Sequence, residues 1–520
     1  MVVCPIFDVL LLFSSYCPRG LELEVEQIYN RVKEVRVKNK TYEPTWESLR
    51  SHTTPKWLQD AKFGIYTHWG IYSVPARGPN GTWYPYNMYR EGTEQHQYHI
   101  KTYGSPSEFG YKDFIPMFKA EKFDAEEWVE LFKKSGAQFA GPVGEHHDGF
   151  SMWDSQFTDW NAAKMGPKKD IVGELQKAIR ARGMRFMIAL HHAENWWFYP
   201  HWREDCDTSN PRYAGLYGPL HNQDWAKQTP QTWEMLQEWW AQDKPSREFL
   251  DKWLGKIYEL IDKYQPDMLY FDFGIRGVPE KYRRDFLAYY YNKEEEWGKE
   301  VVVTYKWHDL VPGTALVDLE LGRMGELTYH DWITDTSVDN QGAWSYVQEA
   351  GFKPVRTLVH NLIDNVSKNG YLLLNVGPRS NGEIPEQAKE CLIGIGKWLE
   401  VNGEAIYGTI PWIKYGEGPT QMKKTGYFSE QQEVEYTAKD IRFTSKDNVL
   451  YATCLGWPEK QVTLRDLKRL RKSEISSVSM LGVDRELVWA MTEDGLVVER
   501  PEEKPTEHAC VFKINRADPF

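Results

Sequence analysis

The chain has 520 residues, a formal net charge of −12 and an unusual number of aromatic residues: 23 Trp, 30 Tyr and 22 Phe. This length exceeds what one hydrophobic core usually supports, so we expect one large domain with smaller companions. The acidic balance, without any basic stripe, argues against a nucleic-acid partner. Beyond the N-terminus, no apolar run approaches the ~20 residues of a membrane span.

The first residues, MVVCPIFDVLLLFSSYC, are apolar enough for the core of a signal peptide. Asp8 interrupts this run, and no Lys or Arg precedes it. Asn-x-Ser/Thr sequons at Asn39, Asn80 and Asn365 are compatible with a secreted glycoprotein. We therefore interpret residues 1–50 as a leader and lead-in segment, and we expect an exported protein.

Helical and strand-like segments alternate from about residue 51 onward. Asp124 is placed to cap a helix that ends near Gly136, and the apolar run AQFAGPVG follows as a buried strand. Asp170 and Gly183 bracket a second helix before MRFMIAL, and a third helix from near Ser246 precedes DMLYFDFG. Further predicted strands are VVVTYK, ALVDLEL and YLLLNVG. This alternation predicts a parallel sheet, and the number of strands favours a closed (β/α)8-like barrel, the TIM barrel, over residues 51–410.

The pattern changes after residue 410. Short strand-like runs with turn residues between them, such as NVLYATCLGWP and HACVFKIN, extend to the C-terminus. We predict that residues 411–520 form an antiparallel β-sandwich.

Histidines and acids end five of the predicted strands of the barrel. In barrels of this type, functional side chains gather at the carboxyl ends of the strands. The residues at these positions are His68 with Trp69, His146 with His147, His191, Asp272 and Glu320.

Asp272 lies in the apolar stretch QPDMLYFDFGI, where an acid is costly to bury. The alternation of a strand places Met268, Tyr270 and Asp272 on one face. Gly274 permits a close approach behind the carboxylate. This pattern indicates an acid directed into the barrel mouth, although a solvated acid at a strand end would give the same sequence.

Glu320 offers a second carboxylate. Glycosidic bonds are usually hydrolysed by two acids, one of which attacks the sugar or activates water while the other protonates the departing oxygen. Asp318 and Glu326 are alternative second acids on this pattern.

The histidines also admit a metal site, because barrel hydrolases can use His and Asp ligands. However, the sequence has neither H-x-H nor HExxH spacing, and its six cysteines are scattered without CxxC pairs. Hydrogen bonds to sugar hydroxyls explain the same histidines, so we predict neither a metal nor another cofactor.

Six stretches together resemble the α-L-fucosidases of glycoside hydrolase family 29, over about residues 50–415. They are KFGIYTHWGIYSVPA, WYPYNMY, HHDGFSMWDS, YFDFG, LVHNLIDNVSKNGYLLLNVGPRSNGEIPEQ and GKWLEVNGEAIYGT. The resemblance implies a (β/α)8-like catalytic domain, a C-terminal β-sandwich and metal-free, retaining hydrolysis of terminal α-L-fucose. The implied substrates are fucosylated oligosaccharides or glycoconjugates; the sequence leaves the oligomeric state open.

The resemblance also implies roles for individual residues. Asp272 matches the nucleophile, and Glu320 fits the general acid/base best, with Glu326 as the alternative. The substrate-binding positions implied are His68, Trp83, His146, His147 and, less closely matched, His191. Lys306 is expected to supply a positive charge, and Trp69, Trp153 or Trp344 to contact the C6 methyl group of fucose.

Two positions depart from the family pattern. Thr82 replaces a Glu that contacts the sugar in many relatives, and Glu145 replaces a Lys before HHDGF. We expect the first to alter the fucose contacts and the second to change the charge of the pocket. Because of these departures, a fucose-binding protein that has lost catalysis is an alternative function. Because of the histidines, a metal-dependent barrel hydrolase is another.

Overall fold

The structure is a computed structural model that describes residues 42–227, 243–431 and 434–517. The predicted leader up to residue 41, with the sequon at Asn39, lies outside the described residues. Among the residues described, no helix has both the length and the apolar character needed to cross a membrane.

Eight parallel strands form a closed barrel in sequential order, and the first strand pairs with the last to close it. The strands are β1 (Phe63–Thr67), β2 (Phe139–Glu145), β3 (Arg185–Leu190), β4 (Met268–Phe271), β5 (Val302–Lys306), β6 (Leu316–Asp318), β7 (Trp332–Ser337) and β8 (Gly370–Val376). The predicted TIM barrel is therefore confirmed.

Helices surround the barrel and cover the strands. In the described residues they are α1 (Trp46–Leu49), α2 (Lys56–Ala61), α3 (Tyr84–Asn87), α4 (Glu94–Tyr103), α5 (Ala125–Lys134), α6 (Ile171–Ala181), α7 (Asn195–Phe198), α8 (Ala214–Tyr217), α9 (Arg247–Tyr264), α10 (Glu280–Trp297), α11 (Val355–Ser367) and α12 (Glu386–Asn402). The predicted caps form as expected: Asp124 accepts from the backbone amides of Glu126 and Glu127, and Asp170 and Ser246 cap α6 and α9.

The barrel strands alternate their side chains between two cores. Tyr66, Met187, Met268 and Tyr270 pack inside the barrel. Leu269 and its outward-facing counterparts pack against the helices. Because Tyr270 faces inward, the same alternation directs Asp272 toward the barrel mouth.

The C-terminal part contains two antiparallel sheets, which confirms the predicted β-sandwich. The strands are β9 (Ile410–Glu417), β10 (Ile441–Lys446), β11 (Val449–Cys454), β12 (Gln461–Leu464), β13 (Ile475–Met480), β14 (Trp489–Thr492), β15 (Gly495–Glu499) and β16 (Cys510–Arg516). One sheet has the order β13-β16-β11-β10-β9 and the other β12-β15-β14. A separate apolar core, including Phe443, Leu464 and Phe512, lies between these sheets.

Two sequons can be placed in the fold. The Asn365 side chain is 1 % exposed within α11, so it is not accessible to a glycan in the folded protein. Asn80 lies on the wall of the cavity at the barrel mouth.

Candidate active site

A cavity of about 650 Å³ opens at the carboxyl ends of the barrel strands. This volume is ample for a monosaccharide with part of a neighbouring group. Its wall combines histidines, acids and aromatic rings: Tyr66, His68, Asn80, Thr82, Trp83, Tyr86, Asn87, Arg90, Thr93, His146, His147, His191, Glu194, Asp272, Phe273, Glu320, Asp335, Trp344 and Phe428.

Eight of the ten site residues predicted from the sequence line this cavity. They are His68, Trp83, His146, His147, His191, Asp272, Glu320 and Trp344. The exposed alternative acid, Glu326, does not line it.

Trp69 and Lys306 do not line the cavity. Trp69 packs against Phe118 and Trp128, and its indole N–H donates to the Arg379 carbonyl. The prediction that Trp69 contacts the sugar is therefore wrong, because this residue lies in the hydrophobic core. Trp153 is also buried in the core, away from the cavity.

Asp272 follows β4 and has the surroundings of an ionised carboxylate. Its Oδ2 accepts from Nδ1 of His191 at 2.9 Å and lies 3.6 Å from Nε2 of His147. Burial alone would raise the pKa of Asp272, but His191 and the nearby Lys306 hold it well below its ordinary value. The side chain is 14 % exposed, through the cavity. Asp272 is thus negative at neutral pH and accessible to a ligand.

Three of the cavity histidines, His68, His146 and His147, are electrically neutral. Burial lowers the pKa values of His68 and His146 well below the ordinary range and that of His147 to about 3. The Nδ1 atoms of His68 and His147 lie 2.8 Å from the side-chain oxygen of Asn375 and the carbonyl of His191, respectively. These partners assign the proton to Nδ1 and leave Nε2 as an acceptor. A neutral imidazole of this tautomer accepts a hydrogen bond from a hydroxyl group.

Glu320 follows β6 and has the opposite protonation state. Burial raises the pKa of Glu320 well above its ordinary value, and the neighbouring Asp335 and Asp272 add to this effect. Lys306 opposes it from 3.3 Å. The side chain is 14 % exposed, as for Asp272. One cavity therefore holds an ionised and a protonated carboxyl group.

The contacts of Lys306 show why its positive charge does not keep Glu320 ionised. Its ammonium is fully buried and lies closer to Asp318, at 2.6 Å, and to Asp335, at 2.8 Å, than to Glu320. Tyr270 donates to both of these aspartates, and Tyr66 donates to Asp335. One ammonium group thus interacts with three carboxyl groups beneath the cavity. We infer that Lys306 positions Glu320 without touching the ligand.

Replacing Lys306 by Met should destabilise the fold by about 3–5 kcal/mol, because it leaves buried acids without their cation. The loss of a positive neighbour should also raise the pKa of Glu320 further. Because a general acid acts in its protonated form, the alkaline limb of the pH–rate profile expected with Glu320 as proton donor should move to higher pH. Thermal denaturation and pH profiles of kcat/KM measure the two effects.

Lys56→Met is the matched control for this prediction, because Lys56 pairs with Asp60 on the surface. Its effect on stability should stay within about 1 kcal/mol. An unchanged alkaline limb in Lys306→Met would contradict the positioning role.

Glu145 does not add a negative charge to the cavity, contrary to the expectation from the sequence. Both of its oxygens lie 2.7 Å from the ammonium of Lys256 on α9, and the Ser151 hydroxyl also donates to it. Although burial opposes ionisation, Lys256 lowers the pKa of Glu145. The residue is an internal ion-pair partner that lies outside the cavity wall.

The other departure, Thr82, does lie on the wall. Its hydroxyl donates to the side-chain oxygen of Asn80 at 2.9 Å. An additional acid comes from another element: Glu194, three residues after His191, is 1 % exposed on the same wall. Burial, Asp272 and Asp309 raise the pKa of Glu194 well above its ordinary value. A Cβ on Gly274, whose φ is 102°, would lie 2.5 Å from Glu194 Cγ, so this glycine makes room for the acid.

Sequence reasoning missed Glu194, Asp335 and Phe428. The position of Glu194 just beyond a strand end was the available signal. Asp335 lies on β7, whose sequence WITDTS has no apolar run. Phe428 comes from the segment between β9 and β10, and nothing in its sequence indicates a position at the barrel mouth.

Two groups of side chains are close enough to share a metal ion. In the described part of the chain, potential ligand atoms of His68, His146 and His191 lie within 4.8 Å of one another, as do those of His147, His191 and Asp272. Imidazole nitrogens can bind either a metal ion or sugar hydroxyls. A chelator experiment separates these two uses.

Comparison with known proteins identifies relatives over both parts of the chain. Residues 30–404 match the family model described as Alpha-L-fucosidase, and residues 432–515 match that of the Alpha-L-fucosidase C-terminal domain. Plasma alpha-L-fucosidase of Homo sapiens is 33% identical over 89% of this chain and 89% of its own length. Tissue alpha-L-fucosidase of Rattus norvegicus is 30% identical over 92% of this chain and 93% of its own length.

A solved structure gives the same result for the fold. The Thermotoga maritima alpha-fucosidase in complex with fucose superposes with a TM-score of 0.68 at 32% sequence identity. The superposition covers 91% of this chain and 100% of that chain. The similarity therefore includes the barrel and the C-terminal sheets.

Proposed function

The chain belongs to the α-L-fucosidase family of glycoside hydrolases, and from this premise we propose that it is a retaining exo-glycosidase. It removes terminal α-L-fucose from fucosylated glycans by double displacement. The observation that carries the proposal is that Asp272 and Glu320, with opposite shifts in pKa, line one cavity of sugar size.

In the first step, an oxygen of Asp272 attacks the anomeric carbon from the face opposite the α-linked oxygen. The carbon–oxygen bond breaks, and Glu320 transfers its proton to the departing oxygen. The product of this step is a fucosyl ester of Asp272. The low pKa of Asp272 and the raised pKa of Glu320 prepare both groups for these roles at neutral pH.

In the second step, Glu320 is ionised and takes a proton from water. The resulting hydroxyl bonds to the anomeric carbon on the face that the departing group left, and the ester bond to Asp272 breaks. Two inversions give net retention. Lys306 stabilises the negative charge that Glu320 carries between the steps.

The remaining wall residues bind the sugar. The acceptor nitrogens of His68 and His147 receive hydrogen bonds from fucose hydroxyls, and His191 holds Asp272 in place. His146 extends this polar wall, while Trp83 and Trp344 offer apolar ring faces to C–H groups such as the C6 methyl.

The substrates are fucosylated oligosaccharides or glycoconjugates, and we propose that the protein works in an exported compartment. Two observations support this location: the apolar N-terminal stretch, and relatives whose names are plasma and tissue alpha-L-fucosidase. The predicted division at residues 50 and 410 is retained as a proposal for the domains.

Hydrolysis of an aryl α-L-fucoside followed by proton NMR tests the proposed function. The first product to appear should be α-L-fucose, before mutarotation produces the β anomer. Release of β-L-fucose first would exclude double displacement. Fucose binding without any turnover would support the alternative of a binding protein that has lost catalysis.

The same assay after dialysis against EDTA tests the metal-dependent alternative that the two histidine groups suggest. We expect kcat/KM to be unchanged. Loss of activity that zinc restores would instead support a metal-dependent hydrolase.

A further inference from the structure

A short segment outside both family matches reaches the cavity. The matched ranges end at residue 404 and resume at residue 432, and residues 425–430 lie between them. We propose that Phe428, in this segment, is a specificity-determining residue whose ring packs against the group that leaves with the glycosidic oxygen. The inference rests on the proposed function and assigns Phe428 to the part of the cavity that binds the leaving group.

The segment is bonded directly to the loop that carries Glu320. The amide of Phe428 donates to the Glu320 carbonyl at 2.8 Å, and the amide of Glu430 donates to the Leu321 carbonyl at 2.7 Å. Gly426 forms an antiparallel bridge with Arg323, through a 2.7 Å bond from its amide. The backbone of Phe428 is therefore fixed in position relative to Glu320, the proposed proton donor.

A second set of bonds fixes the far end of the segment to the barrel. The buried carboxylate of Glu430 accepts from Lys353 at 3.0 Å, from the Thr336 hydroxyl at 2.5 Å and from Asn361 at 2.8 Å. These partners lie on or near β7 and α11. The segment is thus anchored at both the acid loop and the barrel wall.

The ring of Phe428 faces the cavity and is half-buried. Its backbone φ is 56°, a left-handed conformation that a bulky residue adopts only when its surroundings enforce it. Phe428 stacks beside Phe273, with ring centroids 6.3 Å apart and planes inclined by 22°. The strained backbone holds an aromatic face where a ligand can meet it.

The position of this face within the cavity identifies what it contacts. The histidines that bind fucose hydroxyls follow β1 to β3, whereas Phe428 is bonded to the Glu320 loop after β6. A general acid must lie next to the departing oxygen. A ring tied to that acid therefore lies on the leaving-group side, where it packs on the apolar face of a pyranose or on an aryl ring.

The test compares Phe428→Ala on two substrates that share fucose but differ in the leaving group. One is α-L-fucosyl fluoride, whose fluoride is too small to reach the ring; the other is the fucosyl disaccharide that the wild type cleaves fastest. We expect kcat/KM to fall roughly tenfold on the disaccharide and to stay within about twofold on the fluoride. Phe428→Tyr, which keeps the ring face, should retain most of the disaccharide activity.

Two further variants supply a replacement for Phe428→Ala, in case it does not fold, and a control outside the cavity. Phe428→Leu preserves apolar bulk without a ring face, and it replaces Phe428→Ala if that variant does not fold. Tyr329→Ala removes an exposed aromatic side chain that does not line the cavity and should leave both activities unchanged.

Equal losses on both substrates would overturn the inference, because they would mean that Phe428 maintains the catalytic groups. Unchanged activity on the disaccharide would overturn it as well. Failure of the wild type to hydrolyse α-L-fucosyl fluoride would instead contradict the proposed function, so the two failures are distinguishable.

Discussion

Replacement of Asp272 by Gly should lower kcat on an aryl α-L-fucoside by on the order of 10⁴-fold or more. The variant lacks the oxygen that is proposed to form the ester with fucose, and the other wall acids, Glu194, Glu320 and Asp335, lie on other elements of the barrel. The fold should persist, because glycine adds no volume and the lost hydrogen bond is a single contact to His191. Steady-state kinetics and the melting temperature measure the two properties.

Azide provides the positive test of this assignment. A small anion can enter the space left by the carboxylate and attack the same face of the anomeric carbon, which gives β-L-fucosyl azide. Asp494→Gly, in the exposed turn between β14 and β15, is the matched control and should behave as the wild type. Full activity of Asp272→Gly would show that another group is the nucleophile.

The proposed double displacement requires two carboxyl groups of opposite protonation in one cavity, and the surrounding charges account for the difference between them. His191 donates to Asp272, and the nearby Lys306 adds a favourable interaction with its negative form. Glu320 has Lys306 as its cation, but Asp318 and Asp335 lie nearer to that ammonium. Burial raises the pKa of Glu320, and the limited supply of positive charge beneath it does not reverse that effect, so Glu320 stays protonated.

The barrel could be predicted because most of its strands carry a clear local signal. Apolar runs such as MRFMIAL end in polar residues, and Asp124 and Asp170 cap the preceding helices as their positions suggested. The alternation of Met268 and Tyr270 along the strand is sufficient to predict the inward direction of Asp272. Local patterning thus located the strand ends, where most of the candidate site lies.

The parts that sequence reasoning missed depend on contacts between distant elements. Strand β7 lacks an apolar run because Asp335 faces inward to Lys306, a partner 29 residues earlier. Glu145 has an unexpected charge for its position, but Lys256, 111 residues later, neutralises it. Phe428 meets the Glu320 loop from beyond β9. Neither periodicity nor a motif encodes such pairings.

Trp69 shows the opposite error, in which a local pattern predicted a sugar contact that the side chain does not make. It follows His68 directly, and aromatic residues near strand ends often contact sugars. Successive residues, however, point in different directions, so the histidine faces the cavity while the tryptophan packs with Phe118 and Trp128. Proximity in sequence to a site residue did not bring this side chain into the site.

Replacement of Glu320 by Gln should impair hydrolysis in proportion to how much the leaving group needs a proton. For a fucosyl disaccharide, whose departing alkoxide is strongly basic, kcat/KM should fall by about 10²–10⁴-fold. For α-L-fucosyl fluoride the first step needs far less assistance, so the loss should be much smaller. The amide also does not titrate, and the alkaline limb that the wild type owes to the raised pKa of Glu320 should disappear.

Glu326→Gln is the matched control, because Glu326 is the alternative acid on the same loop, but it is exposed and does not line the cavity. It should retain wild-type rates on both substrates and the same alkaline limb. A large, leaving-group-dependent loss in Glu326→Gln, with Glu320→Gln unaffected, would transfer the acid/base role to Glu326. The loop would then have to turn Glu326 into the cavity, against the bonds that residues 425–430 make with it.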